Sequence, residues 1–391
     1  MDKLNSKKLE KIGIFGPHDR INYGDFLFPM MLEHAISKLI GSKIQLKKYS
    51  LISADYSHLK AFKSKSYRDL ISDVNNREIN VVIVAGGESI SAKWNNLYSY
   101  INPLYDFFYQ IKKIRYNRIF RNIPKFLFGN KTEFPFIINE ENYKVTDLQV
   151  FYNAVGGGRG LNKNQMDTLR AASLVGLRDN SSYEFITRVY NDDKFILVPD
   201  SAIILSDVYP KNKLERVIKD DYVFFQLSNH KHQNKVEFIV NQLKKILEKD
   251  LKIVLCPLGT AKGHEDQIVL KQIYNQLKDA KVILIDKQPT IPEIIGLIAN
   301  AQLYIGTSLH GVITSMSYGV PYIPLNLTQN KVVSFLETWS IPELNHVYEL
   351  ESFYDKFNEI FSLNLNDKIL TNTNILKQKY YDFVEKIVKA L

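Results

Sequence analysis

Short apolar runs alternate with loops rich in glycine and polar residues, and most of these loops lead into stretches of helical hydrophobic spacing. The runs at 11–15, 44–51, 80–85, 148–154, 175–177 and 195–198 predict the strands of a first open sheet. Residues 206–220 are polar, contain Pro210 and read as a linker. A second series follows, with strands predicted at 222–227, 251–256, 282–285, 302–305 and 321–325. Helical spacing is expected at about 26–39, up to 190, at 234–249, up to 277, at 292–299 and at 332–339, and over an amphipathic terminal stretch at 375–391. This rhythm predicts an α/β fold with two Rossmann-like open-sheet domains, residues 1–209 and 210–391, facing a central cleft. Loops at the carboxyl ends of the strands, where such sheets bind ligands, would converge on that cleft.

The most informative loop follows the run that ends at Ile305. Gly306 to Gly311 are small residues around one imidazole, and Val312, Ile313 and Met316 then recur at helical spacing up to Gly319. Backbone N–H groups at such a helix start attract anions, which places Thr307, Ser308 and His310 where an anionic donor would lie. The alternative is that these side chains only cap the helix. Histidine changes charge near neutrality and so suits acid–base work. In the first series, Gly86-Gly87-Glu88 follows a strongly apolar strand, so glycine permits close backbone approach there and Glu88 is aimed at the cleft. Glu88 is either a general base or a solvated loop carboxylate. Asn22 and Asp25 either hydrogen-bond acceptor hydroxyls or cap the helix expected from Phe26. His264, at another helix start, is either a donor contact or a cap.

The net charge of +9 is partly local. Six Lys or Arg residues lie between Lys112 and Lys125 without one acid, interleaved with Ile111, Ile114, Tyr116, Ile119 and Phe120. This insertion, at about 98–145, suits either a surface facing anionic headgroups or a solvated helix face over the core. No zinc-finger, RNP or heptad-linked basic motif is present, so nucleic acid is not an expected partner. His230 and His232 lack a third ligand in reach by sequence, so no metal site is expected. The single cysteine, Cys256, excludes an intrachain disulfide, and no apolar run approaches the roughly 20 residues needed to cross a bilayer. The charged start, Met1–Lys11, lacks a signal-peptide core. A cytoplasmic protein, with contact to the inner membrane face through the insertion, is the expectation.

Set side by side, the loops resemble the polysaccharide pyruvyl transferase family over most of the chain. The matching residues are N-Y-G-D at 22–25, G-G-E at 86–88, L-R-D-N-S-S-Y at 177–183, V-P-D-S-A at 198–202 and S-L-H-G-V-I-T-S-M-S-Y-G-V-P at 308–321. The resemblance implies a GT-B-like fold, in which a C-terminal helix often packs back on the N-terminal domain. It implies transfer of the enolpyruvyl group of phosphoenolpyruvate onto two sugar hydroxyls, giving a cyclic ketal and phosphate. The acceptor would be a polysaccharide or lipid-linked glycan precursor, with no cofactor besides that co-substrate, and a homo-oligomer is compatible with it. On this reading His310 and Glu88 are catalytic. Arg178, Thr307, Ser308, Gly311, His264, Lys231 and Asn229 bind the donor, and Asn22, Asp25 and Gly87 bind the acceptor. Asp179 either orients Arg178 or forms a structural pair.

Two positions depart from the family pattern. Ser308 stands where many members carry Arg, and Ser228-Asn229-His230-Lys231 stands where another Arg is common. Lys231, His230, His264 and Lys262 are the candidate replacements, although Lys does not reproduce the bidentate geometry of Arg. A GT-B glycosyltransferase using a nucleotide sugar is the first alternative; Asn326 to Asn330 supplies no carboxylate to grip its ribose. A scaffold of a polysaccharide assembly complex that has lost its chemistry is the second.

Overall fold

Two parallel sheets carry the fold in the computed structural model, which describes residues 11–42, 45–232, 234–325 and 330–391. The first contains β1 (Ile12–Phe15) and β2 (Lys47–Tyr49); a small antiparallel hairpin, β3 (Ala54–Asp55) and β4 (Lys63–Ser64), stands beside it. The same sheet continues with β5 (Val81–Gly87), β6 (Gln149–Val155), β7 (Leu174–Leu177) and β8 (Phe195–Leu197), in the order β2-β1-β5-β6-β7-β8. The second sheet comprises β9 (Tyr222–Gln226), β10 (Lys252–Leu255), β11 (Val282–Leu284), β12 (Leu303–Gly306) and β13 (Tyr322–Pro324), in the order β11-β10-β9-β12-β13. Every strand within these two sheets pairs in parallel, and the central ones are buried on both faces, which is why they read as continuous apolar runs. In the second sheet the order reverses at β9, and the loops after β9, β10 and β12 open there into the cleft, the usual ligand position of such sheets.

The first helix, Tyr23–Ile40, starts three residues earlier than its apolar spacing suggests, because the Asn22 side chain caps it by accepting from the Gly24 N–H. β2 is shorter than the predicted 44–51 run, of which Ile44 lies outside the described residues. The insertion is helical: Trp94–Ile101, Pro103–Tyr109, Lys112–Arg115 and Arg118–Leu127 follow one another, with Trp94 stacked on Phe128 over the first sheet.

The terminal helix is Asn366–Ala390, longer than the expected 375–391. Its early polar residues are committed to neighbours, Asn366 donating to the Gly319 carbonyl and Thr373 to the Met316 carbonyl. Further on, Lys377 and Tyr381 both hold Asp207, and Phe383 fills the space above Gly176 in β7. The helix thus packs back onto the first sheet, and one continuous apolar core runs from Ile14 and Phe28 through Ile203 and Met316 to Phe225 and Ile305.

Candidate active site

His310 is the second residue of helix Leu309–Ser317, which Ser308 caps by accepting from the Gly311 N–H. Its imidazole is held by residues of helix Tyr23–Ile40, which packs on the first sheet. The Phe28 ring meets it edge-on, with centroids 5.1 Å apart. Gly24 lies against it so closely that a Cβ there would sit 1.9 Å from Nδ1. Phe28 in turn occupies the space over Gly86, whose φ of +61° and lack of a side chain are both needed; a Cβ would meet the Phe28 ring at 2.1 Å. The glycines of the 22–25 and 86–88 loops therefore serve the placement of one imidazole.

Below the ring stands Asp200, fully buried, with Oδ2 3.7 Å from His310 Nε2 and 3.0 Å from Arg178 Nη1. Burial alone would push the Asp200 carboxyl up, but His310, Arg178 and the Ala202 N–H outweigh it and hold it below its ordinary value. The 3.7 Å gap exceeds a hydrogen bond and leaves His310 Nε2 without a partner, as is Arg178 Nε.

The facing wall comes from the second sheet. Lys231 donates to the Thr307 carbonyl at 3.0 Å; burial, reinforced by the nearby Lys331, pushes its ammonium down to about 7. Lys331 stands 3.8 Å from Glu88 at the mouth. Burial first, then the cations Lys331, Lys231 and Arg20, bring His264 down to about 3, so it faces the cleft neutral. Asp266 receives the Leu258 and Gly259 N–H groups and the Gln226 amide, and burial raises it to about 6. Gln226 also accepts from the Thr307 N–H, so this network fixes the floor. Main-chain bonds tie the two walls together: Tyr23 N–H to the Leu258 carbonyl at 2.9 Å and Ala261 N–H to the Ile21 carbonyl at 3.2 Å. The cavity enclosed between them is about 110 Å³.

Comparison with known proteins agrees with this layout. The model of the polysaccharide pyruvyl transferase family matches residues 22–328, a span that contains every lining residue of the cleft except Lys331. The chain belongs to the polysaccharide pyruvyl transferase family. Members are enzymes, and the chain is accordingly a transferase of polysaccharide biosynthesis. Solved structures with the same GT-B architecture include UDP-GlcNAc 2-epimerase from Methanocaldococcus jannaschii in complex with UDP-GlcNAc and UDP (14% identity, TM-score 0.55, covering 95% of this chain and 99% of that one). A putative UDP-N-acetylglucosamine 2-epimerase from Listeria monocytogenes aligns with 12% identity and a TM-score of 0.60 over 97% of this chain and 95% of its own. A UDP-forming α,α-trehalose-phosphate synthase from Burkholderia vietnamiensis aligns with 7% identity and a TM-score of 0.52 over 98% and 99%. No curated protein matches the chain significantly in sequence.

Ten of the residues singled out in the sequence line the transferase cleft: Asn22, Asp25, Gly87, Glu88, Arg178, Lys231, His264, Thr307, Ser308 and His310. Asn22 uses its amide twice more, donating to Asp25 at 3.0 Å and lying 3.3 Å from His264 Nε2. Burial pushes the Asp25 carboxyl up against the pull of Arg20, His310 and Lys331. Glu88 sits on the rim with its side chain 45% exposed.

Two of the expected donor residues, Gly311 and Asn229, are not among the residues lining the cleft. Gly311 faces away from the cleft; its missing side chain leaves room for the Tyr304 hydroxyl, and its N–H is used by Ser308. The Asn229 N–H, in a 3-10 turn, donates to the His264 carbonyl at 3.0 Å. Of the proposed replacement cations, His230 is exposed and pairs with Glu265, and Lys262 pairs with Asp106 of the insertion. Asp179 does not pair with Arg178; it caps helix Asn180–Thr187 and accepts from Ser334. Lys331, Asp200, Gln226 and Asp266 were not among the sequence candidates. The V-P-D-S-A element contained the only available hint, for Asp200. Among the described residues, no group of three or more His, Cys, Asp or Glu is placed to hold a metal, and no helix is long and apolar enough to cross a membrane.

Proposed function

We propose that the chain transfers the pyruvyl group of phosphoenolpyruvate to two hydroxyls of a sugar, closing a cyclic ketal and releasing phosphate. The observation that carries this reading is the pairing of one imidazole, backed by a buried carboxylate, with two lysines across a small cavity. Lys231, Lys331 and the start of helix Leu309–Ser317 bind the donor's phosphate and carboxylate. They stand in for the arginines usual at two other positions of the family.

His310 then delivers a proton to the terminal methylene carbon of the donor, leaving its central carbon electrophilic. Asp200 stabilises the charged ring and keeps it oriented. A sugar hydroxyl adds to that carbon as Glu88 or Asp25 takes its proton. The carbon–oxygen bond to phosphate breaks and the second hydroxyl closes the ketal. Of the two hydroxyl protons, one balances the new methyl group and the other leaves on phosphate. Asn22 and the Gly87 backbone line the side on which the acceptor approaches.

Phosphate release from phosphoenolpyruvate, dependent on a sugar acceptor, tests the proposal; no release across a broad panel of sugar acceptors overturns it. The nucleotide-sugar reading draws support from the UDP-sugar enzymes among the similar structures. A thermal-shift comparison separates the two, since the proposed donor stabilises the chain and UDP-sugars do not.

A further inference from the structure

Half of the large apolar and aromatic side chains that stand exposed among the described residues fall within residues 100–127, ten of twenty. On helix Arg118–Leu127 the apolar stripe points outward. Ile119 is 79% exposed and Phe126 78%, with Ile123 between them, and only Pro124 is buried. Leu104 and Phe107 on helix Pro103–Tyr109 extend the same exposure, at 70% and 65%. A helix whose apolar residues face solvent is unfinished as it stands. The flanking charge points to what finishes it. Lys112, Lys113, Arg115, Arg118 and Lys125 form no ion pair among the described residues, and the two acids in residues 89–139 are engaged elsewhere, Asp106 with Lys262 and Glu133 with Lys93 and Arg121.

We infer that the outer face of helices 103–127 docks on an anionic bilayer surface, with the apolar residues entering the headgroup boundary and the lysines and arginines meeting lipid phosphates. Unpaired cations beside an apolar stripe match this partner; an apolar protein partner would not require them. The docking face also abuts the cleft. Asp106 holds Lys262, and Tyr100 packs against Gly263, in the loop that carries Gly259 and His264 to the site. A docked chain would therefore hold its cleft at the membrane surface, within reach of an acceptor carried on a lipid. The inference goes beyond the donor chemistry and survives its failure, because binding is read without turnover.

Flotation of the full chain with phosphatidylcholine vesicles, with or without equimolar phosphatidylglycerol, tests it. The chain should float with the anionic vesicles only, and added salt should release it. Two variants probe the two components: Ile119→Ser with Phe126→Ser, and Lys112→Glu with Lys113→Glu and Arg118→Glu. Each should weaken partitioning roughly tenfold or more. All five side chains are exposed, so unchanged melting temperatures and unchanged phosphate release with a water-soluble acceptor are expected. Equal binding to both vesicle types, or full binding by both variants, overturns the inference. So does a dimer in light scattering that the Ile119→Ser, Phe126→Ser variant converts to a monomer, since the stripe would then be a contact between copies.

Discussion

Replacing Gly24 with alanine tests whether the placement of the His310 imidazole matters, without substituting that residue. The new methyl carbon would stand 1.9 Å from His310 Nδ1, 2.3 Å from Cε1 and 2.5 Å from Cγ. Comfortable contacts between such atoms are roughly 3.5–4.0 Å, so the imidazole must move by more than about 1 Å. Phe28 and Asp200 also bound the ring, and relief therefore displaces it from its place above the carboxylate. A displacement of that size costs about 100-fold in rate when the moved group takes part in the chemistry. Stability should respond much less, because alanine is favoured over glycine within a helix by roughly 0.5–1 kcal/mol, which offsets part of the strain. The assay pairs steady-state phosphate release with calorimetric melting. The expected result is a kcat about 100-fold lower with a destabilisation of no more than about 1–3 kcal/mol. A kcat within about threefold of the parent would refute the argument, since the ring would then have moved without consequence.

Three further outcomes follow from the same geometry. Asp200→Asn leaves the Arg178 guanidinium, 2% exposed, without its carboxylate; loss of one partner from a buried pair costs about 3–5 kcal/mol, measurable as a lower denaturant midpoint. Lys231 has its charged state depressed to about 7 from 10.5, so its charge is present below that value and lost above it. A bound dianion restores the charge, so calorimetry at about pH 8 in two buffers should show uptake of up to one proton per phosphoenolpyruvate, absent in Lys231→Met. The same depression makes folding stability rise with pH between about 7 and 10.5, where the unfolded chain holds more protons. Gly311→Ala drives a methyl group to 2.1 Å from the Tyr304 hydroxyl, and the overpacking should cost about 1–3 kcal/mol by chemical denaturation, with the Kd for phosphoenolpyruvate unchanged in the folded fraction.

The sheets were legible because buried parallel strands write themselves as apolar runs, and β5, β6, β9 and β12 fall within a residue or two of expectation. Helix starts were less so. Tyr23 and Gly24 read as loop, since glycine is a poor helix former, and only the close approach of His310 explains its presence there. The terminal helix was shortened for a similar reason: Thr371 to Asn374 are weak helix formers whose value lies in bonds such as that from Thr373 to Met316. At the site, cleft-facing loops could be named from strand ends, but not what each side chain touches. Gly311 is a donor residue by resemblance alone, and no sequence signal shows that its N–H goes to the Ser308 hydroxyl. For Asp200 the V-P-D-S-A element was the only hint, because the ring it faces lies 110 positions later in the chain. Lys331 follows the last strand of its sheet in a stretch with no motif at all.

The backbone bonds from Tyr23 to Leu258 and from Ala261 to Ile21 bear on how the enzyme must breathe. A clamshell that shared amide bonds along its own floor would have to tear them to gape. This one is stitched at the base, and a single hydrophobic interior runs beneath the stitches. Substrates must therefore come and go through shifts of the rim, where Glu88 and Lys331 meet in a weak, half-solvated pair that is readily parted. A hinge opening of the cleft would break both main-chain bonds, whereas parting Glu88 from Lys331 breaks neither.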